Sequence, residues 1–374
     1  MAFSPIRFID KDKDKALFFA TLRKRVDSYF KENNISKHYN STMVVKTVIL
    51  MAGYLLPFIA LLVFNPSFNI ALILWAVMGF ALSGIGMSVM HDANHGAYSS
   101  SHKANYWLGH TLNLLGGSVF NWKLQHNVMH HTYTNIHHYD DDIADKLILK
   151  FNPHSEVKWY HKLQVVYAFL FYGILTLYWA LLKDFLQFHK YTKQGVNTST
   201  KEQNRVIWFK IFMSKVVYWG VIFGIPVFLI GIPFYQMALG YLLMQFISGV
   251  VLTVVFQLAH TVEGTTHPLP NVDYTIENNW AVHQMNTTVN FSRKSKWISW
   301  YVGGLNFQVE HHLFPTICHV HYPAVSEIVK ATAEEFGVPY LENPTFMSAL
   351  RSHVKAIVSF GKVPTLADLN EAIG

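Results

Sequence analysis

The chain holds 374 residues, of which 51% are hydrophobic, 15% aromatic and 14% charged; a soluble domain carries about a quarter charged residues, so a soluble globule is excluded and a membrane protein expected. One cysteine, Cys318, excludes an intramolecular disulfide and any cysteine-rich metal site. The net charge of +7 comes without a recognised nucleic-acid motif, so it reads as loop charge on a membrane protein with no nucleic-acid partner, while 21 histidines stand out as the anomaly.

In chain order, residues 1–46 form a basic segment with Arg23, Lys24, Arg25 and several lysines. It lacks the compact apolar core and small-residue cleavage site of a signal peptide, and is expected to stay in the cytoplasm. From Thr47 to Met90 no residue is charged, broken only by "NPSFN" at Asn65 to Asn69. A crossing takes roughly 20 apolar residues, so this run predicts a helical hairpin with spans at about 47–64 and 68–90. Trp107 to Phe120 is apolar but short, whereas Leu163 to Leu182 is uncharged and long enough to cross. If only one of these crossed, later histidines would face the wrong side, so either both cross or neither does. We expect neither, with both in the interface or on the cytoplasmic face.

Val216 to Ala259 is again uncharged, with "GIP" at Gly231 to Pro233 marking a bend. This predicts a second hairpin, with spans at about 216–232 and 234–259. Neither hairpin turn carries Lys or Arg. The amino terminus, the middle loop (Lys190, Lys193, Lys201, Arg205, Lys210) and the stretch with Arg293, Lys294 and Lys296 all do, which places them in the cytoplasm. Past Pro315 the pattern turns soluble, with an amphipathic helix opening near Pro323. The expected fold is an all-α integral membrane protein: a membrane domain over 47–322, four transmembrane helices in two hairpins, and a cytoplasmic helical cap holding a histidine-rich dimetal site. Residues 323–374 form a cytoplasmic C-terminal helical segment, and both termini face the cytoplasm. No internal repeat of 20–50 residues is evident beyond the two hairpins.

The histidines follow this frame. The first hairpin ends in "HDANH", placing His91 and His95 four residues apart on one helix face. The next loop brings "HNVMHH", with His126, His130 and His131. The second hairpin ends in "QLAH" at His260, and "LNFQVEHHLFP" adds His311 and His312. All eight fall on one side of the membrane. Imidazole suits Zn, Cu, Fe and Ni, and eight are too many for a one-zinc catalytic site with three protein ligands. The number fits two metal ions with positions left for oxygen; dinuclear iron activating O2 is the natural candidate, with copper and zinc left open by ligand counting.

The three boxes "HDANH", "HNVMHH" and "QVEHH" resemble those of the membrane fatty acid desaturases, the last being similar to the glutamine-containing form of front-end enzymes such as the linoleoyl-CoA type. The resemblance covers about Thr47 to His321. It implies a four-span fold, two Fe ions on the cytoplasmic face, and O2-dependent introduction of a cis double bond into an acyl chain carried by CoA or a lipid. Carried over, the ligands are His91, His95, His126, His130, His131, His311 and His312, with His260 as an additional one. Gln308 stands where related enzymes have a histidine, and is placed as a ligand or as the holder of a metal-bound water. Electrons must come from outside. No HPGG haem motif precedes the first span, so a separate donor of ferredoxin or cytochrome b5 type is expected on the basic cytoplasmic face.

Alkyl C–H bonds have no acidic proton and no leaving group, so acid–base or nucleophilic catalysis cannot start the reaction. The protein must orient its ligands and keep one methylene pair beside the metals. Asp92 and Glu310 are candidate acceptors for ligand N–H groups, and His283 a further neighbour of the site. Asn94, Asp140, Asp141 and Asp142 are weaker candidates; the acidic run, with His137 and His138, reads better as a solvated loop. Phe120 and Trp122 are candidates to line an acyl slot, and Arg293, Lys294 and Lys296 to meet a CoA phosphate or an anionic headgroup. Two alternatives stand beside a desaturase: a membrane di-iron hydroxylase of lipids, alkanes or carotenoids, and a histidine-rich metal transporter. The second would need ligands near the bilayer midplane, where this chain has none.

Overall fold

The computed structural model describes residues 3–10, 12, 15–145 and 148–362. Helix α1 (Phe18–Glu32) buries Phe18, Leu22, Val26 and Phe30, a stripe repeating every four residues along one face. Helix α2 (Ser41–Phe64) starts where the Asn40 side chain accepts from the Met43 N–H, and stops at Asn65, whose φ of 39° takes the chain out of the helix just before Pro66. Helix α3 (Phe68–Asn94) returns antiparallel to it, with Gly53 facing Ala81 and Gly84 facing Leu50.

Three more elements are long and apolar: α4 (Trp159–Gln194), α5 (Lys201–Ile230) and α6 (Phe234–His260). With α2 and α3 they make five helices, among the described residues, able to cross a membrane by length and composition. Large apolar side chains such as Val63, Phe64, Ile73, Phe228 and Leu229 lie exposed on their outer faces, as lipid contact requires.

The decisive packing is between α3 and α6. Gly240 meets Trp75, Gly79 meets the Met244 carbonyl, and Gly86 meets Leu252, so the two helices run parallel. A Cβ on Gly240 would lie 2.1 Å from the Trp75 ring, so only glycine permits this approach. Parallel packing brings the C-terminal ends of both helices, bearing His91 and His260, to the same level.

Residues 163–182, expected in the interface or on the cytoplasmic face, lie in the first half of α4 and its π-helical turn. Its first half packs deep along α6, antiparallel to it: Gly173 abuts Phe246, and the Thr176 hydroxyl donates to the Gln245 carbonyl at 2.7 Å. At Trp179–Lys183 it widens into a π-helical turn, and the second half turns back. Gln187 donates to Gln125, and Lys190 pairs with Asp141 at 2.6 Å, both beside the histidine loop. The first half begins near the same level, where Gln164 bonds the Ile357 carbonyl. Both ends of the element thus make contacts near the histidine-bearing ends of the helices. Residues 107–120 form the short helix His102–Gly109 and a 3-10 turn, His110–Leu115, neither long enough to cross.

The remaining elements form a second layer over the histidine-bearing ends. Helices α7 (Trp280–Thr287), α8 (Gln308–Leu313) and α9 (Tyr322–Glu335) pack with α1 in one apolar cluster including Met285, Val309 and Val325, and α10 (Phe346–Phe360) closes the layer beside α4 and α6. Two parallel strand pairs tie its edges: β1 (Arg7–Phe8) with β2 (Thr275–Ile276), and β3 (Asn290–Phe291) with β4 (Glu342–Asn343). Residues 363–374, the end of the expected C-terminal segment, lie outside the described residues.

One buried ion pair pins the bend of α4. Lys215 Nζ of α5 stands 2.7 Å from Asp184 Oδ2, both side chains buried, and also donates to the Trp179 carbonyl. Lys215→Met strands the carboxylate and is expected to cost about 3–5 kcal/mol. Adding Asp184→Asn should recover much of that loss, read as the melting temperature of the detergent-purified protein.

Candidate metal centre

Two departures from regular α-helix shape the site. The last turns of α3 pass through a π-helical turn at Ile85–Val89, directly before His91, and a second π-helical stretch, Lys123–His130, carries His126 and His130. In such a turn i→i+5 hydrogen bonds replace i→i+4, so residues five apart also come into line. The Nε2 atoms of His126 and His131 accordingly lie 3.3 Å apart. The α8 histidines are set by the loop before them. Gly303, at φ 63°, presses its backbone onto the Met87 carbonyl, where a Cβ would come within 2.2 Å. Loop and π-helical turn are thereby locked together, and the His311 ring rests 4.5 Å from that of His91.

The eight histidines converge. His91, His95, His126 and His311 bring one nitrogen each within 4.8 Å of one another, and His130, His260 and His312 do the same beside them. His131 lies between the groups, its ring 4.7 Å from His95 and 4.4 Å from His312. Gln308 reaches the second group: its amide nitrogen is 2.9 Å from His260 Nε2 and 3.3 Å from His312 Nε2.

Polarity sorts the two nitrogens of each ring. His126 Nδ1 donates to Asp142 at 2.7 Å, His130 Nδ1 to Asp140 at 2.9 Å, His312 Nδ1 to Gln284 Oε1 at 2.8 Å, and His260 Nδ1 to the Thr287 carbonyl at 3.3 Å. His311 Nδ1 meets the Tyr322 hydroxyl at 3.2 Å. Each such Nδ1–H leaves Nε2 as a bare lone pair aimed inward. His91 and His126 point these atoms at each other at 3.2 Å. Nε2 of His95, His130 and His311 and Oε1 of Gln308 are buried without a partner among the described residues. Burial and the crowd of neighbouring imidazoles push His95, His131, His311 and His312 well below the usual histidine range, and His126 down to about 4. Burial acts on His130 too, but Asp140 pushes it the other way, above the usual range. Converging imidazole nitrogens, three of them buried without a partner among the described residues, fit bound cations.

Several residues take roles other than those expected. Asp140 and Asp142 are not a solvated loop; they hold two of the rings, a role visible only once the chain after the second box folds back. Glu310 does not accept from a histidine. It faces away, taking bonds from Asn290 at 2.8 Å and Tyr340 at 3.0 Å, and burial raises its pKa to about 7. Asp92 does accept a histidine N–H, but from His319 at 2.8 Å, while its other oxygen stays 3.9 Å from His91. Buried Lys46 completes that contact, Nζ 2.7 Å from His319 Nε2.

His283 packs against Phe8, ring centroids 5.0 Å apart and tilted. Its neighbour Gln284 performs the supporting role, because α7 turns Trp280 and Gln284, four residues apart, toward His131 and His312. His137 and His138 stack on each other outside both groups. Arg293 is committed to Glu327 and Glu342. Phe120 packs on Phe188, whereas Trp122 lies 4.5 Å from His126 and walls a cavity of about 340 Å³. That cavity runs from His91, His126 and Gln308 between α3, α4 and α6, past Leu175, Trp179 and Leu252.

Paired groups of imidazoles at the ends of long apolar helices, beside an apolar cavity, are those of a membrane-associated protein with a site able to hold metal. The sequence comparisons give the family. The fatty acid desaturase family model matches residues 66–344. The chain is 35% identical to the acyl-lipid (8-3)-desaturase of Physcomitrium patens over 94% of its length and 73% of that protein's. It is 35% identical to the sn-1 linoleoyl-lipid 6-desaturase of Arthrospira platensis, over 90% of each chain, and 34% identical to that of Synechocystis sp., over 94% and 98%. The chain belongs to the fatty acid desaturase family, and is an oxidoreductase.

Removing the carboxylates that orient the rings isolates their contribution. Asp142→Asn and Asp140→Asn are each expected to lower metal affinity by roughly 10–100-fold, measured as metal per chain after dialysis against graded chelator. Glu310→Gln, facing away from the rings, is expected to retain its metal.

Proposed function

We propose that the protein is an O2-dependent di-iron desaturase that places a cis double bond in the acyl chain of a membrane lipid, on the carboxyl side as front-end enzymes do. One observation carries this: two groups of imidazoles, with Nε2 of His95, His130 and His311 buried and without a partner among the described residues, converge at one end of an apolar cavity. His91, His95, His126 and His311 would hold one iron and His130, His260 and His312 the other, with His131 between them and Gln308 beside the second. Bound there, two irons supply the activated oxygen that removes hydrogen from two adjacent methylenes. The balance is one acyl chain, O2, two electrons and two protons to one double bond and two waters.

The chain's own residues do the rest. Asp140, Asp142 and Gln284 fix the tautomer and orientation of the rings they touch. Trp122, Leu175, Trp179 and Leu252 seat the acyl chain and exclude water. Lys183, Gln187 and Lys190 line the same cavity, and the bonds of Gln187 to Gln125 and of Lys190 to Asp141 place that polar lining at the histidine end. An ester head held there keeps its nearest methylenes beside the histidines, which suits a double bond near the carboxyl group. The relatives whose printed names specify acyl-lipid or linoleoyl-lipid substrates support a lipid-borne chain over acyl-CoA.

For topology we propose four crossings by α2, α3, α5 and α6, with α4 re-entrant, and the histidines and both termini cytoplasmic. Turns free of Lys and Arg at Asn65–Ser67 and Gly231–Pro233 support it.

Expression in a host poor in desaturated lipid, with a ferredoxin or cytochrome b5 donor, should yield fatty acids with one new double bond nearer the carboxyl group than any already present. Methyl ester analysis with double-bond localisation reads it. A hydroxy acid as the sole product would reject the proposal. His126→Ala and His312→Ala should each abolish the product and lower iron per chain; unchanged product in either variant would remove that residue from the site.

A further inference from the structure

The histidines are buried beneath the second layer, yet one short path joins them to the protein surface. Helix α1 and the start of α7 enclose a surface groove of about 820 Å³, lined among others by Phe19, Arg23, Lys24, Lys31, Asn279 and Trp280. Its cations outnumber its carboxylates. Arg23, Lys24 and Lys31 are exposed, and no ion pair joins them to a carboxylate among the described residues. Of the two carboxylates lining the groove, Asp27 pairs with Lys37 at 2.5 Å and Asp10 accepts from the Asn279 amide at 2.9 Å. The groove therefore offers, among the described residues, a surplus of exposed cations around an aromatic patch made by Phe19 and Trp280, whose rings meet edge to face at 5.5 Å.

Trp280 is the link inward. Half-buried in the groove, its indole Nε1 donates to the main-chain carbonyl of His131 at 3.3 Å. The His131 ring lies between the two groups, within 4.8 Å of His95, His126, His311 and His312. One turn further along α7, Gln284 donates to the same carbonyl at 3.2 Å and accepts from His312 at 2.8 Å. Surface ring, hydrogen bond, carbonyl and inner imidazole thus form one connected route.

We propose that this groove is the docking face for a small acidic protein carrying a one-electron iron centre, and that Trp280 is the contact through which its electrons enter. The inference rests on the desaturase reading, which requires two external electrons per double bond. In each transfer the carrier is oxidised by one electron and the site metal reduced by one, with no atom transferred and no bond broken. Charge complementarity selects the occupant: the surplus of exposed cations favours an acidic face and speeds its encounter, while the aromatic patch gives it an apolar centre to settle on.

The test uses the full chain in nanodiscs, with plant-type ferredoxin and the soluble domain of cytochrome b5 as the two carriers. The combined variant Arg23→Glu, Lys24→Glu, Lys31→Glu should weaken carrier binding at low salt by roughly tenfold or more and flatten its salt dependence, with metal content and melting temperature at wild-type values. Trp280→Phe keeps an aromatic ring but loses the N–H. It should leave the carrier Kd in place and slow, several-fold, the first-order reoxidation of saturating reduced carrier, with metal content again held. Unchanged affinity for both carriers in the charge variant, or an unchanged plateau rate in Trp280→Phe, overturns the proposal. So does a charge variant that loses affinity for phosphatidylglycerol vesicles alone, which would make the groove a lipid-binding surface. Failure of the desaturase reading has its own signature: wild-type protein that oxidises the carrier, or accepts dithionite, without forming a double bond.

Discussion

Two parallel helices, packed closely at their glycines, set the geometry on which the site depends. Where Gly240 meets the Trp75 ring and Gly79 meets the Met244 carbonyl, α3 and α6 approach too closely to slide or splay without clashing. Their ends are thus held level, and His91 and His260, more than 160 residues apart in the chain, enter the two histidine groups from the same end of the pair. Everything added later is registered to that pair: the π-helical stretch with His126 and His130 lies against the end of α3, and the Gly303 loop locks α8 onto the same turn. A substitution at Gly240 would therefore act on the histidines from about 30 Å away, since twenty helical residues at about 1.5 Å each separate it from His260.

Around that frame the site solves one electrostatic problem. Bare imidazole lone pairs facing each other in an apolar interior are unfavourable unless a cation accepts them, and they stay turned inward only if the opposite nitrogens are tied down. Asp140, Asp142, Gln284 and the Thr287 carbonyl do the tying. Burial favours the neutral form of His95, His131, His311 and His312, the protonation state that metal binding requires. The same carboxylates partly offset the positive charge that two metals would introduce into a buried volume.

The sequence made legible whatever depends on pattern along the chain. Uncharged runs with a polar break marked α2, α3, α5 and α6, and histidines at fixed spacing marked the eight rings that the structure brings together. What it hid was side-to-side geometry. Asp140 and Asp142 look like any solvated acidic run until the chain after Tyr133 folds back over His126 and His130. The choice of Gln284 over His283 depends on which way α7 is rotated, and a histidine is the more tempting candidate when read in isolation. Glu310 misled for the same reason: adjacent to two converging rings in sequence, it is turned by the helix toward Asn290 and Tyr340. Length and hydropathy alone could not show that α4 bends, because a π-helical turn at Trp179–Lys183 leaves no mark in composition.

That bend has a consequence for how the chain is threaded. An element that dips and returns adds apolar volume to the bundle while leaving the side of everything downstream unchanged. In the proposed four-crossing topology it counts as zero in the tally of crossings, so the wall of the cavity would be built without reversing the sense of α5 and α6. The two halves of the histidine set, written on either side of α4 in the sequence, would then keep a common face because the piece between them is topologically even.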